Sequence, residues 1–276
     1  MIVTLTDRDW PRLKKLVDAA PVETIFLSSR IERFGLDPAQ LGCPVLGVIR
    51  DGELVAAAHN GANLMALGDP GALGEIVERL GTRSRTQSIL GPAETVQALY
   101  LGLVQRWGNS WASPRDLRAH QPLMVWRRAD PLQVAPDPRV HAITDAEFDL
   151  YYQAAVKMYT EEVGVSPLDP MDSYRHYVSY LVGNRRAFGA SSKDRVWFKT
   201  DVGATYGAIC QLQGVWLDPA MRGQGLSEAL MAGALWLMDP AWTTVSLYVN
   251  DYNVRARRMY ERLGLKTIGE LATVLY

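Results

Sequence analysis

One segment of the chain, residues 214–227, constrains the fold more than any other. It begins as an apolar strand that ends at Pro219, continues through Gly223 and Gly225, and leads into a helix with an apolar face. A strand, a glycine loop and a helix start direct unpaired N–H groups and the positive end of the helix dipole at one point. The segment therefore predicts an anion site, with a plain tight turn and a solvated Arg222 as the alternative.

The loop does not fit the two best-known nucleotide motifs. It contains neither GxxxxGK[ST], the phosphate loop of nucleotide hydrolases, nor GxGxxG, the dinucleotide fingerprint. Nucleotide hydrolysis and a dinucleotide-dependent reaction are therefore poorly supported.

A second informative segment follows further along the chain. Asn253 is suited to begin a helix as its N-cap, and Gly264 is suited to end it. Apolar side chains at helical spacing form the inner face, which carries Ala256, Met259, Tyr260 and Leu263. On this pattern alone, Tyr260 is one more core aromatic residue.

The strongest break in regular structure lies near the middle of the chain. Three prolines fall within residues 131–138, which forbids a regular helix there and discourages a central strand. We predict domains at residues 1–130 and 139–276, joined by a linker at 131–138. Both halves show strand and helix patterns in a similar order, which predicts an α/β (α+β) fold and favours an internal duplication. In the first half, Asp51-Gly52 between two apolar runs predicts a β-hairpin.

The composition excludes several classes of protein. The 276 residues are 48% hydrophobic and 21% charged, which is typical of a folded chain and not of a disordered one. The 29 Lys and Arg residues nearly cancel the 30 Asp and Glu residues, so we expect no nucleic acid and no membrane as a partner held by overall charge. With no long apolar stretch and no evident leader, we expect a cytoplasmic protein. A homodimer is one option for the oligomeric state.

Cysteine and histidine usage predicts no metal site. Cys43 and Cys210 lie far apart without a CxxC pattern, so we expect two free, buried thiols. The four histidines show no metal-ligand spacing either.

The two informative segments together resemble the GNAT acyltransferase superfamily. The acetyl-CoA loop of that family reads [R/Q]-x-x-G-x-[G/A], and its counterparts here are Arg222, Gly223, Gln224, Gly225, Leu226 and Ser227. The later N-x-x-A-x-x-x-Y pattern with a Leu-Gly-Phe-like end is similar to Asn253, Ala256, Tyr260 and residues 263–265. Ser227 replaces the usual Gly or Ala, and Leu265 replaces the common Phe. The resemblance covers the chain from about Val140 onward.

The layout of the whole chain is also similar to that of tandem acetyltransferases, in which a related N-terminal domain precedes a GNAT domain. Residues 20–30 and 211–216 carry this looser likeness. It implies tandem GNAT folds, each a mixed, mostly antiparallel central sheet flanked by helices. The first domain would be degenerate, and the second would be the acetyltransferase.

The resemblance implies an acetyl-CoA-dependent N-acetyltransferase in which an acceptor amine attacks the thioester directly, without a metal. The backbone N–H groups of residues 223–227 would take the pyrophosphate, with Arg222 at the loop entrance. The strand residues that would pair with pantetheine are Val215, Trp216 and Leu217. Tyr260 matches the general acid that protonates the CoA thiolate, and Asn253 matches a residue that contacts the cofactor arm.

The general base is not indicated by a motif. Glu161 and Glu162 lie between the first two helices of the domain, where GNAT enzymes shape the acceptor site, and either is a candidate. A solvated helix end is the alternative, since charged residues are mostly exposed. The three arginines of the last helix, Arg255, Arg257 and Arg258, are compatible with a contact to the 3′-phosphate of CoA or with a solvated helix face.

The first half lacks the loop. Residues 88–95 show no Arg-x-x-Gly-x-small pattern, Pro92 has no N–H, and the charge of Glu94 would repel a pyrophosphate. We expect that this half does not bind CoA well. Two functions stay open beside the acetyltransferase: a catalytically idle CoA-binding sensor or interaction module, and a transferase that uses another acyl-CoA. The acceptor amine, whether on a small molecule, a peptide or a protein, is not indicated.

Overall fold

The computed structural model describes all 276 residues, Met1–Tyr276. The chain forms two compact units, and neither is continuous in sequence. The first unit contains Met1–Met124, Tyr248–Asn253 and Thr267–Tyr276, and the second contains Val125–Leu247 and Val254–Lys266. The linker predicted at residues 131–138 stays a prediction.

The chain forms twelve strands and ten α-helices. The strands are β1 Ile2–Thr4, β2 Val45–Arg50, β3 Glu53–Asn60, β4 Asn63–Gly68, β5 Ser88–Pro92, β6 Asp116–Arg127, β7 His141–Ala142, β8 Ala187–Ser192, β9 Arg195–Tyr206, β10 Ile209–Leu217, β11 Thr244–Tyr248 and β12 Lys266–Leu275. The helices are α1 Trp10–Ala19, α2 Ile25–Phe34, α3 Pro38–Leu41, α4 Leu73–Leu80, α5 Ala93–Trp107, α6 Asn109–Ala112, α7 Phe148–Val163, α8 Ser173–Gly183, α9 Ser227–Leu237 and α10 Val254–Arg262.

The sheet of the first unit is mixed and mostly antiparallel. Strands β1 to β4 pair in sequence order, each antiparallel to the next. Strands β4 and β5 pair in parallel, and the C-terminal strand β12 lies antiparallel beside β5. The predicted hairpin between β2 and β3 is confirmed, because Asp51 and Gly52 both adopt positive φ, as a two-residue turn of this kind requires.

The sheet of the second unit is also mixed and mostly antiparallel. Strands β7, β8, β9 and β10 pair antiparallel in that order, and β10 pairs in parallel with β11. Apolar side chains of α7 and α8 pack with those of β8 and β9 in one core cluster, which includes Ala155, Leu181 and Val196. The predicted fold class, a mixed and mostly antiparallel sheet flanked by helices, is confirmed.

Local signals fix both ends of α7, the helix that carries both candidate bases. Before its start, Thr144 and Glu147 form a capping box, in which the Thr144 hydroxyl donates to Glu147 Oε2 at 3.0 Å. Its end is set by Gly164, whose φ of 78° is the left-handed conformation that glycine adopts without strain. Glu161 and Glu162 therefore lie in the last turn of α7.

The pairing of β12 with β5 generates a stability prediction. Val274 is 0% exposed in the core of the first unit, whereas Ile268 on the same strand is 48% exposed. We expect Val274→Ala to lower the local free energy of opening at the β5 amides by about 2 kcal/mol, from two lost methyl groups and the cavity they leave. Native-state hydrogen exchange measures this value.

Ile268→Ala is the matched control on β12, with an expected change below about 0.5 kcal/mol. Equal protection of the β5 amides in the two variants would contradict the pairing.

Candidate functional site

Strands β10 and β11 pair over only three residues each. The parallel register joins Ile209, Cys210 and Gln211 to Thr244, Val245 and Ser246 and then stops. Beyond Gln211, β10 continues to Leu217 with register partners only in β9. One backbone edge of residues 212–217 is therefore open to an extended ligand, which can pair there as an added strand.

A bulge lies within this open stretch. Gln213 is paired with Asp201 and Trp216 with Lys199, so two residues of β10 stand opposite one residue of β9. One of these two is Gly214, whose φ is +58°, and the other is Val215. A Cβ on Gly214 would lie 2.8 Å from Lys199 Nζ and would displace the ammonium, so the close approach of Lys199 also favours glycine here.

The loop after β10 has the geometry that the sequence predicts. Asp218 accepts a hydrogen bond from the Ala220 N–H at 2.9 Å and so begins a 3₁₀ turn. Gly223 and Gly225 then adopt left-handed φ values of +81° and +72°. Helix α9 follows, and its N-cap residue, Leu226, supplies no side-chain hydrogen bond.

The donors of this loop are available to a ligand. The N–H groups of residues 223–226 donate to no other group of the protein, and residues 222–225 are exposed. Together with the uncapped first turn of α9, they form a run of N–H groups at the positive end of a helix. An anion such as a pyrophosphate fits this arrangement.

Arg222 is already paired within the protein. Its guanidinium binds both carboxylate oxygens of Glu161, at 2.7 Å and 2.8 Å, and its Nε donates to the Leu217 carbonyl at 2.9 Å. The indole N–H of Trp216 donates to the same carboxylate at 3.0 Å. Hydrogen bonds from Arg222 lower the pKa of Glu161, with Trp216 adding to the shift against the opposing effect of burial. Two residues predicted for separate tasks thus form one contact that ties the loop to α7.

Tyr260 and Glu162 are electrostatically linked. Tyr260 projects from α10 and is 6% exposed. Burial raises the pKa of its hydroxyl, and the negative charge of Glu162 raises the pKa further. The hydroxyl therefore keeps its proton at neutral pH. Glu162 itself is exposed at the end of α7.

The remaining predicted residues are less defined by contacts. Asn253 is exposed in the Tyr248–Asn253 segment of the first unit, where its N–H donates to the Asn250 carbonyl at 2.9 Å. Ala256 is half-buried on α10, and of the three arginines of that helix, Arg257 is half-buried and the other two are exposed. Their predicted roles toward the cofactor stay predictions.

Sequence reasoning missed a buried charged cluster beneath the bulge. Lys199 and Asp201 lie on the same face of β9, with Lys199 Nζ 2.7 Å from Asp201 Oδ2. The Tyr151 hydroxyl, from α7, donates to the other carboxylate oxygen. The sequence does contain a signal for this cluster, because Lys-Thr-Asp interrupts an otherwise apolar strand. The same pattern is also expected where one face of a strand is solvated, since side chains alternate between the two faces.

Two further properties concern metal binding and membrane crossing. No group of three or more His, Cys, Asp or Glu side chains is arranged to hold a metal ion. Among the helices, none has both the length and the apolar character that crossing a bilayer requires.

The Glu161–Arg222 contact predicts a titration behaviour. We expect the Glu161 carboxyl to titrate below its ordinary value of 4.5, because the charged form accepts the Arg222 hydrogen bonds. The sign follows from the lowered pKa: the pair is intact above the ordinary value and is lost as the pH falls through the lowered one. Carboxyl-detected NMR measures the midpoint, which Arg222→Gln should raise toward 4.5.

Arg255→Gln, at an exposed arginine of α10, is the control and should leave the Glu161 midpoint in place. A midpoint that does not respond to Arg222→Gln would show that the contact does not persist in solution.

Two family models match parts of the chain. A family model described as the Acetyltransferase (GNAT) family matches residues 141–265, and one described as a domain of unknown function (DUF4081) matches residues 43–151. No curated protein matches the sequence significantly.

Solved structures show the same fold. A GCN5-related N-acetyltransferase from Sphaerobacter thermophilus is 16% identical, with a TM-score of 0.62 over 100% of this chain and 95% of the other. A Drosophila protein is 14% identical, with a TM-score of 0.64 over 100% and 98% of the two chains. A tandem GNAT protein from the clavulanic acid biosynthesis pathway is 13% identical, with a TM-score of 0.57 over 100% and 98%. The chain therefore has a GNAT fold, and its residues 141–265 belong to the GNAT acetyltransferase family.

Proposed function

We propose that the chain is an acetyl-CoA-dependent N-acetyltransferase in which an acceptor amine attacks the thioester directly. The observation that carries this proposal is the run of unpaired N–H groups at residues 223–226, which follows directly on the open edge of β10. A diphosphate on an extended, amide-containing arm needs these two features next to each other. Membership of residues 141–265 in the GNAT family supports acyl-CoA as the donor class.

The donor would be held by backbone groups. The N–H groups of residues 223–227 take the pyrophosphate, and pantetheine pairs along Val215, Trp216 and Leu217 as an added strand. Arg222 contributes positive charge, but its bidentate contact with Glu161 makes it first a residue that fixes the loop. We therefore expect Arg222 to affect the shape of the site as much as the charge of the site.

The reaction itself moves one proton from nitrogen to sulfur. The neutral amine attacks the carbonyl carbon and forms a C–N bond, and the carbonyl oxygen becomes an oxyanion that the β10 backbone can stabilise. The amine nitrogen gives a proton to a base, the C–S bond breaks, and the departing thiolate receives a proton from Tyr260, which regains one from water. The Tyr260 hydroxyl keeps its proton at neutral pH, so the proton is available when the thiolate forms.

The contacts of Glu161 favour Glu162 as the base. Glu161 is held by Arg222 and Trp216 and has a lowered pKa, which makes it a weak proton acceptor. Glu162 is exposed, and its charge is felt at Tyr260. We propose Glu162, directly or through water, as the group that accepts the amine proton.

The first unit would not hold a second CoA molecule. Strand β5 ends at Pro92, and α5 begins at Ala93, so no glycine loop separates them. Pro92 occupies the N-cap position without an N–H, and Glu94 places a negative charge in the first turn. We expect one CoA per chain, and two equivalents in an isothermal titration would refute this.

The loop geometry predicts a specific loss of CoA binding. Gly225→Ala forces an L-residue into left-handed φ at a cost of about 1 kcal/mol, and relief of that strain turns the loop N–H groups away from one another. We expect CoA affinity, measured by isothermal titration, to fall about tenfold or more.

Gly207→Ala is the matched control, since Gly207 lies in the β9–β10 turn with φ +51° and, as at Gly225, a Cβ added there would have no atom within 4 Å. It carries a similar backbone cost without a role in the loop, so its CoA affinity should equal that of the wild type. Equal losses in the two variants would remove the loop from the binding site.

Tyr260→Phe should lower turnover more than CoA affinity. The proton donor is lost while the ring and its packing stay, so we expect kcat to fall about a hundredfold with an almost unchanged Kd for CoA. Steady-state kinetics and isothermal titration measure the two quantities. Parallel loss of both, or loss of neither, would show that Tyr260 is a core residue only.

The overall proposal is tested by thiol release from acetyl-CoA in the presence of a panel of amines. An N-acetyltransferase shows acceptor-dependent release, whereas a CoA-binding sensor binds CoA by titration without turnover. Substitution of longer acyl-CoA donors in the same assay would reveal a different acyl preference.

A further inference from the structure

We propose that Lys199, Asp201 and Tyr151 are positioning residues for acyl transfer, in which the buried ammonium holds the Gly214 carbonyl and so directs the N–H of Val215 at the acyl oxygen of the donor. This inference rests on the proposed function. None of the three residues touches the donor itself, and each acts through the bulge of β10.

Both charges of the Lys199–Asp201 pair are buried, and each group has more than one hydrogen-bond partner. The Lys199 side chain is 0% exposed and that of Asp201 is 6% exposed. Lys199 Nζ donates to Asp201 Oδ2 and, at 3.0 Å, to the Gly214 carbonyl. Tyr151 donates to Asp201 Oδ1, and burial together with the Asp201 charge raises the pKa of its hydroxyl, which keeps it a donor. The ion pair is thus oriented from both sides.

The Lys199–Asp201 pair lies against the bulge of β10. At the bulge the two strands are out of register, and side chains of β9 serve as donors to the carbonyls of β10. The Thr200 hydroxyl donates to the Gln213 carbonyl at 3.3 Å, and Lys199 donates to the Gly214 carbonyl. The absence of a side chain at Gly214 lets the ammonium lie directly against the backbone, because a Cβ there would be 2.8 Å from Nζ.

The rigid peptide plane links the Gly214 carbonyl to the Val215 N–H. In a trans peptide, the carbonyl and the N–H of the next residue point in opposite directions within one rigid plane. Fixing the Gly214 carbonyl toward Lys199 therefore fixes the Val215 N–H on the opposite side. A charged donor on the carbonyl also polarises the peptide and strengthens its N–H as a donor. Val215 belongs to the open stretch of β10 along which pantetheine would lie.

The energetic balance agrees with a positioning role. A buried ion pair adds little net stability, because removing two charges from water offsets most of their attraction. A pair of apolar side chains of similar volume would hold α7 and β9 together equally well. Such a pair would leave the Gly214 carbonyl without a donor and its peptide plane free to rotate.

The test follows the thioester carbonyl itself. Acetyl-CoA carrying ¹³C at the thioester carbonyl is bound to the full-length protein, and infrared difference spectroscopy measures the carbonyl stretch. The main variant is Lys199→Met/Asp201→Leu, which replaces both charges and leaves neither buried alone. We expect CoA affinity within about threefold of the wild type, and a carbonyl stretch at higher wavenumber because the Val215 hydrogen bond is weaker.

The matched control is Thr200→Val. It removes the hydroxyl donor to the neighbouring Gln213 carbonyl, on the same buried strand, and leaves the Gly214–Val215 peptide untouched. Its carbonyl stretch should equal that of the wild type. With any acceptor that the wild type uses, the double variant should lose about tenfold to a hundredfold in kcat, less than the removal of an oxyanion donor costs.

The outcomes separate this inference from the proposed function. A double variant that binds acetyl-CoA with the wild-type carbonyl stretch overturns the positioning role and leaves the acyltransferase proposal standing. Failure of the wild-type protein to bind CoA overturns both. If the double variant does not fold, Tyr151→Phe decides, since loss of its hydrogen bond to Asp201 should move the stretch part of the way in the same direction, and an unchanged stretch overturns the inference.

Discussion

The short parallel pairing of β10 with β11 is the constraint on which the candidate site depends. Three paired residues on each strand hold the two strands together at one end, and β10 then continues with an unpaired edge. Unpaired backbone in the middle of a sheet is unfavourable unless a ligand or water completes it. The bulge at Gly214 increases the local bend of β10, and the glycine loop places helix-end donors directly beyond that edge. The open strand edge and the loop beside it are thus suited to bind an extended ligand arm and an anion, respectively.

Charges stabilise this geometry from two sides. On the exposed side, Glu161 binds Arg222 and receives the Trp216 indole N–H, which joins α7 to the start of the loop. On the buried side, Lys199 reaches the carbonyl at the bulge. An exposed ion pair is screened by water and contributes little to stability, whereas the buried pair is strongly directional. Both are better understood as devices that set the shape of β10 than as sources of folding energy.

The sequence predicts local features of the site better than its distant contacts. The glycines of the loop and the Asp51-Gly52 hairpin follow from short patterns, because each depends on backbone conformations that few residues adopt. The Glu161–Arg222 contact joins residues 61 positions apart, which no local pattern encodes. Likewise, β12 finds its partner β5 through tertiary packing, and the Lys199 side chain could be placed inward only once the sheet was known.

The first unit contains a comparable pair of parallel strands without such an opening. Strands β4 and β5 also pair in parallel over three residues each, and β10 and β11 pair over the same length. Here the strands stay close beyond that point, since a Cβ on Gly91 would lie 3.0 Å from the Ala66 carbonyl oxygen. Phe26 and Leu27 line the remaining narrow cleft. A pantetheine arm needs that space for its own hydrogen bonds, so we expect no donor site in the first unit. The same short parallel pairing in both units thus favours a duplication in which one copy kept the opening and the other closed it.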